Sequence, residues 1–211
     1  MDIWGGLWLA DYIGAFLNGG GRAAYYFHYL PLGIHRGANG SMGTFGMFST
    51  DANLQIRQPL SQFFASQLIN LEWLQPGDGV HKLFSAESDI RDTAGNHLVT
   101  AYAAARPDGT WSLMVINKDQ ENAQTVHVSF ADDSKHTRGE FSGAVSVNTF
   151  GKAQYVWHPD PTGGTADPDG PIAVSTVTAG PGASFALPAA SITVFRGSIK
   201  SIESSVKAAA H

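Results

Sequence analysis

The hydrophobic period changes once along this chain, between Pro76 and Gly79, and that change constrains the fold more than any single motif. Before it, apolar residues recur at helical spacing or in one continuous run; after it, they alternate. Ile3, Leu7, Ala10, Gly14 and Leu17 form one helical stripe, and Trp4, Trp8 and Tyr12 form a second. A helix apolar on two sides is buried on both. Asn18-Gly19-Gly20-Gly21 stops it with residues that tolerate left-handed backbone. Ala23 to Leu30 is a short, aromatic-rich apolar run ending at Pro31, the pattern of a buried strand in a parallel sheet. A glycine-rich loop runs from Leu32 to about Asn53. Pro59 then opens a second helix, with Leu60, Phe63, Phe64, Leu68 and Leu71 as its core face and Gln75-Pro76-Gly77 as its end.

Residues 1–77 thus read helix, strand, loop, helix, a piece of an alternating α/β fold. One buried strand cannot satisfy its own ladder hydrogen bonds. Its neighbours come from the rest of a barrel or from another chain, or else the segment repacks.

From Val80 onward the period is two. Strands are expected at Val80–Ala86, His97–Ala105, Trp111–Asn117 and Gln124–Phe130. Others are expected at Ala144–Phe150, Ala153–Trp157, Ile172–Thr178, Ala183–Leu187 and Ser191–Arg196. Turns such as Arg106-Pro107-Asp108-Gly109 separate them. Short strands at regular spacing predict an antiparallel β-sandwich over residues 78–197. The polar, Ala-rich residues 198–211 read as a flexible tail. The expected fold class is mainly β: a sandwich preceded by an αβα remnant of a (β/α)8 barrel.

Composition excludes several classes. Hydrophobic residues make up 43% and charged residues 15%, which is globular rather than disordered. The net charge of -5 comes with no basic block, so no nucleic-acid partner is expected. No apolar run reaches the ~18 residues of a membrane span. Without cysteine there are no disulfides or thiolate metal sites. Met1-Asp2-Ile3-Trp4 lacks the basic n-region of a signal peptide. The histidines form no compact metal-binding pair, and no nucleophile elbow, phosphate-binding or dinucleotide fingerprint occurs. No cofactor or metal is expected.

Two stretches resemble a known family. Gly5-Gly6-Leu7-Trp8-Leu9-Ala10-Asp11-Tyr12-Ile13-Gly14, followed by Ala23-Ala24-Tyr25-Tyr26-Phe27-His28-Tyr29-Leu30-Pro31, resembles the last helix–strand unit of a clan-A glycoside hydrolase barrel, as in bacterial β-xylosidase-like enzymes. Ala189-Ala190-Ser191-Ile192-Thr193-Val194-Phe195-Arg196-Gly197 resembles the last strand of the small sandwich that follows such barrels, and Leu113-Met114-Val115-Ile116-Asn117-Lys118 another of its strands. The resemblance implies a carbohydrate partner and an extracellular or periplasmic place. It also implies two catalytic Glu residues at the ends of the fourth and seventh barrel strands. No position here matches either motif, so no catalytic residue is carried over.

Glycosidases need two carboxylates, about 5–5.5 Å apart when retaining and about 6.5–9.5 Å when inverting. Glu72 lies off the apolar face of the second helix, Glu87 follows a strand, Glu121 sits in a turn and Glu140 in a polar loop. None stands at the end of the barrel-like strand. His28 does, where barrel active sites are built; Tyr26 shares its face and Tyr29 adjoins it. The following loop adds His35 and Phe45, placed to shape a cleft. These five are the candidate substrate-binding residues; the plainer alternative is a buried aromatic cluster. Asn39-Gly40-Ser41 is formally a glycosylation sequon. Asp160, Asp167 and Asp169 are carboxylates among glycines, but their spacing is not that of an EF-hand, and a solvated loop is the simpler reading.

Three functions remain open: a glycosidase remnant without catalytic competence alone, a carbohydrate-binding module using exposed Trp111, Tyr155 or Trp157, or a small hydrolase with an unrecognised site. An exposed coplanar row of rings favours the second, and convergent carboxylates the third. The orphan barrel segment, with apolar faces lacking partners, also predicts a homo-oligomer.

Overall fold

In the computed structural model the chain is mainly β. Residues 2–27, 35–36, 42–44, 46–134, 137–161, 164–167 and 172–202 are described. Helix α1 spans Ile3–Asn18, and Asp2 caps it by accepting a hydrogen bond from the Trp4 N–H at 3.1 Å. It stops where Gly20 takes φ 95° and the Gly21 N–H reaches back to the Phe16 carbonyl at 2.9 Å. Helix α2 spans Ser61–Gln67 and continues as a π-helical turn over Leu68–Trp73. Pro59 does not open it: Pro59 pairs with Phe48 in the hairpin Phe48–Thr50/Ile56–Pro59, and the helix begins at Ser61.

The sandwich strands are β1 (Lys82–Phe84), β2 (Val99–Ala105), β3 (Trp111–Asn117), β4 (Gln124–His127) and β5 (Phe130–Asp132). They continue with β6 (Thr137–Gly151), β7 (Ala173–Ala179), β8 (Ser184–Leu187) and β9 (Ser191–Ile202). The main antiparallel sheet runs β7-β6-β9-β3-β2-β1, with β5 added to the start of β6. Strands β4 and β8 pair as a separate layer. A further hairpin joins Val156–His158 to Thr165–Asp167.

Alternation gives the main sheet two buried faces. Tyr102, Ala104, Met114, Ile116, Ile192 and Val194 face the helices, packing with Leu7, Phe64 and Trp73. Val99, Ala103, Leu113, Val115 and Phe195 face the other way, onto Phe185 and Leu187 of β8. The sheet is therefore the middle layer, and α1 and α2 occupy one side of it.

Two glycines let α1 approach closely. A Cβ at Gly14 would stand 2.4 Å from the Tyr102 ring, and one at Gly6 would stand 2.8 Å from the Ser61 carbonyl oxygen. Neither space admits a side chain without a shift of its neighbour.

Three further expectations change. The run from Ala23 was expected to be a buried strand. Residues 23–27 form none, and Tyr25 and Phe27 are 92% and 88% exposed; the rest of that run, 28–30, lies outside the described residues. A buried strand needs neighbouring strands to satisfy its backbone groups; none pairs with residues 23–27 among the described residues, and α1 packs on the sandwich. The tail was expected from Ser198, but β9 continues to Ile202, with Ser198, Ile199, Lys200 and Ser201 paired to β6. Glu140 was expected in a polar loop, but it lies in the first part of β6, Thr137–Ser142, which supplies that pairing.

Candidate functional site

A groove of about 1020 Å³ lies between α1, α2 and residues 22–27. Trp8, Tyr12 and Phe16 of α1, Phe63 and Ile69 of the second helical segment, and Tyr26 are among its lining. The Trp8, Tyr12 and Phe16 rings stack along α1 at four-residue spacing, with centroids 5.3 and 6.3 Å apart and planes 13° and 11° from parallel. They are 65%, 52% and 40% exposed. Because each ring lies over the next, the row is a stack and not a flat platform, and its inner ring faces are already covered. The groove's polar groups are those of Arg22, Ser66, Gln67, Asn70 and the tyrosines; no Asp, Glu or His is among its described lining. Among the described lining residues the groove is mainly apolar and aromatic, with no acid or base that titrates near neutral pH.

Of the five candidate residues only Tyr26 has a described side chain. It is half-buried in this groove, and burial raises its phenol above the ordinary tyrosine range. The His35 backbone pairs with Gly43 in a short hairpin. His28, Tyr29 and Phe45 lie outside the described residues, as do Asn39-Gly40-Ser41 and Asp169.

Three of the glutamates are held in structural contacts. Glu72 pairs with Arg196 of β9 at 2.8 Å, both side chains half-buried. Glu140 accepts from the Gly182 N–H at 2.7 Å, and Glu121 lies 4.0 Å from Lys152. Glu87 is exposed. Among the described residues no group of three or more His, Asp and Glu could hold a metal ion.

The rings proposed for sugar binding on the sandwich are placed otherwise. Tyr155 is 1% exposed and packs against Phe64 and Phe150. Trp111 is half-buried between Phe84 and Phe130, and Trp157 packs against the helix-side core.

Sequence reading missed the polar groups that tie the two regions together. Asp11 of α1 accepts hydrogen bonds from Thr100 at 2.6 Å and Tyr102 at 2.7 Å, with Lys118 at 3.4 Å. Burial first, then the Asp11 hydrogen bond and charge, holds the Tyr102 phenol far above its ordinary range. Arg106, 7% exposed, donates to the carbonyls of Glu72 and Leu74 and so caps the π-helical turn. Its Nε lies 3.4 Å from Asp108, and burial lowers its pKa. The Gln75 N–H donates to His81 Nε2 at 2.7 Å, which requires that nitrogen to be unprotonated. Burial, and then the Arg106 charge, lowers the His81 pKa. The only signal in sequence was the turn Arg106-Pro107-Asp108-Gly109, which says nothing about a distant partner.

No protein-family model matches the chain, and no curated protein matches it in sequence. An arabinofuranosidase crystal structure superposes with a TM-score of 0.56 at 12% identity, over 93% of this chain and 38% of that one. An α-L-arabinofuranosidase from Thermotoga maritima gives 0.46 at 15% identity, over 72% and 31%. A GH51 arabinofuranosidase from Xanthomonas axonopodis pv. citri gives 0.41 at 18% identity, over 72% and 29%. The chain spans well under half the length of each. The first of these likenesses covers helices and sandwich together and shows a shared fold.

Proposed function

We propose that this chain is the sandwich-bearing portion of a glycoside hydrolase of the arabinofuranosidase kind, acting on pentose-bearing plant polysaccharide outside the cytoplasm. The superposition on an arabinofuranosidase over 93% of this chain but 38% of that one supports the reading most directly. It points to arabinofuranosides where the sequence resemblance named β-xylosidase-like enzymes. The division into a barrel-derived segment, residues 1–77, and a sandwich, residues 78–197, belongs to the same proposal. Within it the helices close a barrel and the sandwich buttresses them. The catalytic carboxylates come from outside this chain, which cleaves nothing alone. Once a barrel is complete, Tyr26, His28, Tyr29, His35 and Phe45 contact the sugar.

Glu72, Glu121 and Glu140, each engaged in another contact, and a groove whose described lining holds no acid or base support that reading. The test is hydrolysis of chromogenic arabinofuranosides, xylosides and glucosides by the chain, with Glu72→Gln and His28→Ala beside it. No release above buffer is expected. Turnover that survives purification and falls in either variant sinks the proposal.

A further inference from the structure

The two ends of the main sheet are unlike. Strand β1 is three residues long and carries Lys82, a short and charged edge of the kind that resists further pairing. Strand β7, at the other end, is seven residues long: Ala173-Val174-Ser175-Thr176-Val177-Thr178-Ala179. All seven pair with β6 on one side, and among the described residues no strand pairs on the other. Six of the seven are exposed, with Val174 at 70% and Val177 at 39%. The edge has no charge, no proline and no register shift against β6. Half of its backbone N–H and C=O groups point outward along a straight, β-branched strand.

We propose that β7 is a homodimer interface, pairing antiparallel with β7 of a second copy about a two-fold axis at Thr176. The sequence suits that pairing. Ala173 meets Ala179, Val174 meets Thr178, Ser175 meets Val177, and Thr176 meets itself. No charge opposes a like charge, and the β-branched and hydroxyl pairs are those that stabilise cross-strand contacts. The arrangement is isologous, so it closes at two copies. The strand carries no charge, so two copies can meet along it without like charges opposing. The inference rests on the sheet edge alone and is independent of the reading as a glycosidase portion.

Sedimentation equilibrium of the full chain from about 1 to 100 µM tests it. The expected mass rises from 22.4 kDa toward twice that value. Thr176→Lys alone and Thr176→Glu alone place like charges at the axis and weaken association at least ~10-fold. Mixing the two variants in equal amounts restores the dimer, because Lys then faces Glu. Far- and near-ultraviolet circular dichroism confirms that each variant folds, and Val174→Lys replaces any that does not. A wild-type chain that stays monomeric throughout overturns the proposal. So does a dimer unchanged in both single variants, whether lost instead in Trp8→Ser or not; so does a mixture that fails to recover.

Discussion

The sandwich and the helical segment before it treat their apolar residues differently. In the central strands both faces are covered: Met114 and Ile116 pack under the helices, while Leu113 and Val115 pack under β8. In α1 only one side is covered. Leu7 and Ala10 are sealed against the sheet, yet Trp8 and Tyr12, one turn apart on another side, stay more than half exposed. A strand inside a sheet has neighbours by construction, and the second layer needs only to lie over it. A helix with two apolar stripes needs two partners, and this chain supplies one. The polar clasp of Asp11, Arg106 and His81 shows that the contact with that one partner is specific and not mere collapse.

Four substitutions break or sharpen that contrast. The largest effect is expected at Phe150, fully buried where Phe64 of α2 and Tyr155 meet the sheet. Phe150→Ala should cost about 3–5 kcal/mol in chemical denaturation. A cost under ~1 kcal/mol would mean that helices and sheet do not share a core. Next comes Gly14→Ala, whose methyl would collide with the Tyr102 ring. A loss of about 1–3 kcal/mol is expected from overpacking, read as a lowered denaturation midpoint; a gain from improved helix propensity would show that α1 can move away from the sheet.

The third effect depends on pH. The His81 pKa is lowered in the fold, so the folded state binds fewer protons than the unfolded chain. Its contribution is present above the unfolded value near 6.5 and is lost as the pH falls from there through the lowered folded value. His81→Gln keeps an acceptor for the Gln75 N–H and should flatten the stability profile between pH 7.5 and 5. An unchanged slope would remove His81 from the clasp. The smallest effect is expected at Trp8. Trp8→Ser on the exposed side of α1 should stay within about 0.5 kcal/mol, and a larger loss in the same denaturation assay would show that the outer aromatic stack is part of the core.

Much of the sandwich was legible residue by residue. Trp111–Asn117 was expected and is β3, and the expected runs at His97–Ala105 and Ala183–Leu187 contain β2 and β8. These strands alternate between two environments, and alternation is what a sequence displays. Other features left no such trace. Glu140 reads as part of a polar loop, yet Thr137–Ser142 around it pairs with β9, and Phe141 within that stretch is buried in the sandwich core, an isolated apolar residue that shows no alternation. Ala23 to Phe27 reads as a buried strand, yet those residues form none. Tyr26 does line a groove, but its lining also includes Phe63, which sequence placed on the core face of the second helix.

Local chemistry therefore settled the periodicity, the turns, the C-terminal end of α1 and the change of character near Pro76. Those depend on neighbours a few residues away, and neighbours in sequence are given. Only the tertiary structure decided that α1 lies on the sandwich, that Asp11 meets Thr100 and Tyr102, that Glu72 answers Arg196, and that one edge of the sheet stands open. Each of these joins groups far apart along the chain. Their proximity is a property of the packing that minimises exposed apolar area and unpaired polar groups at once, and no stretch of residues carries it alone.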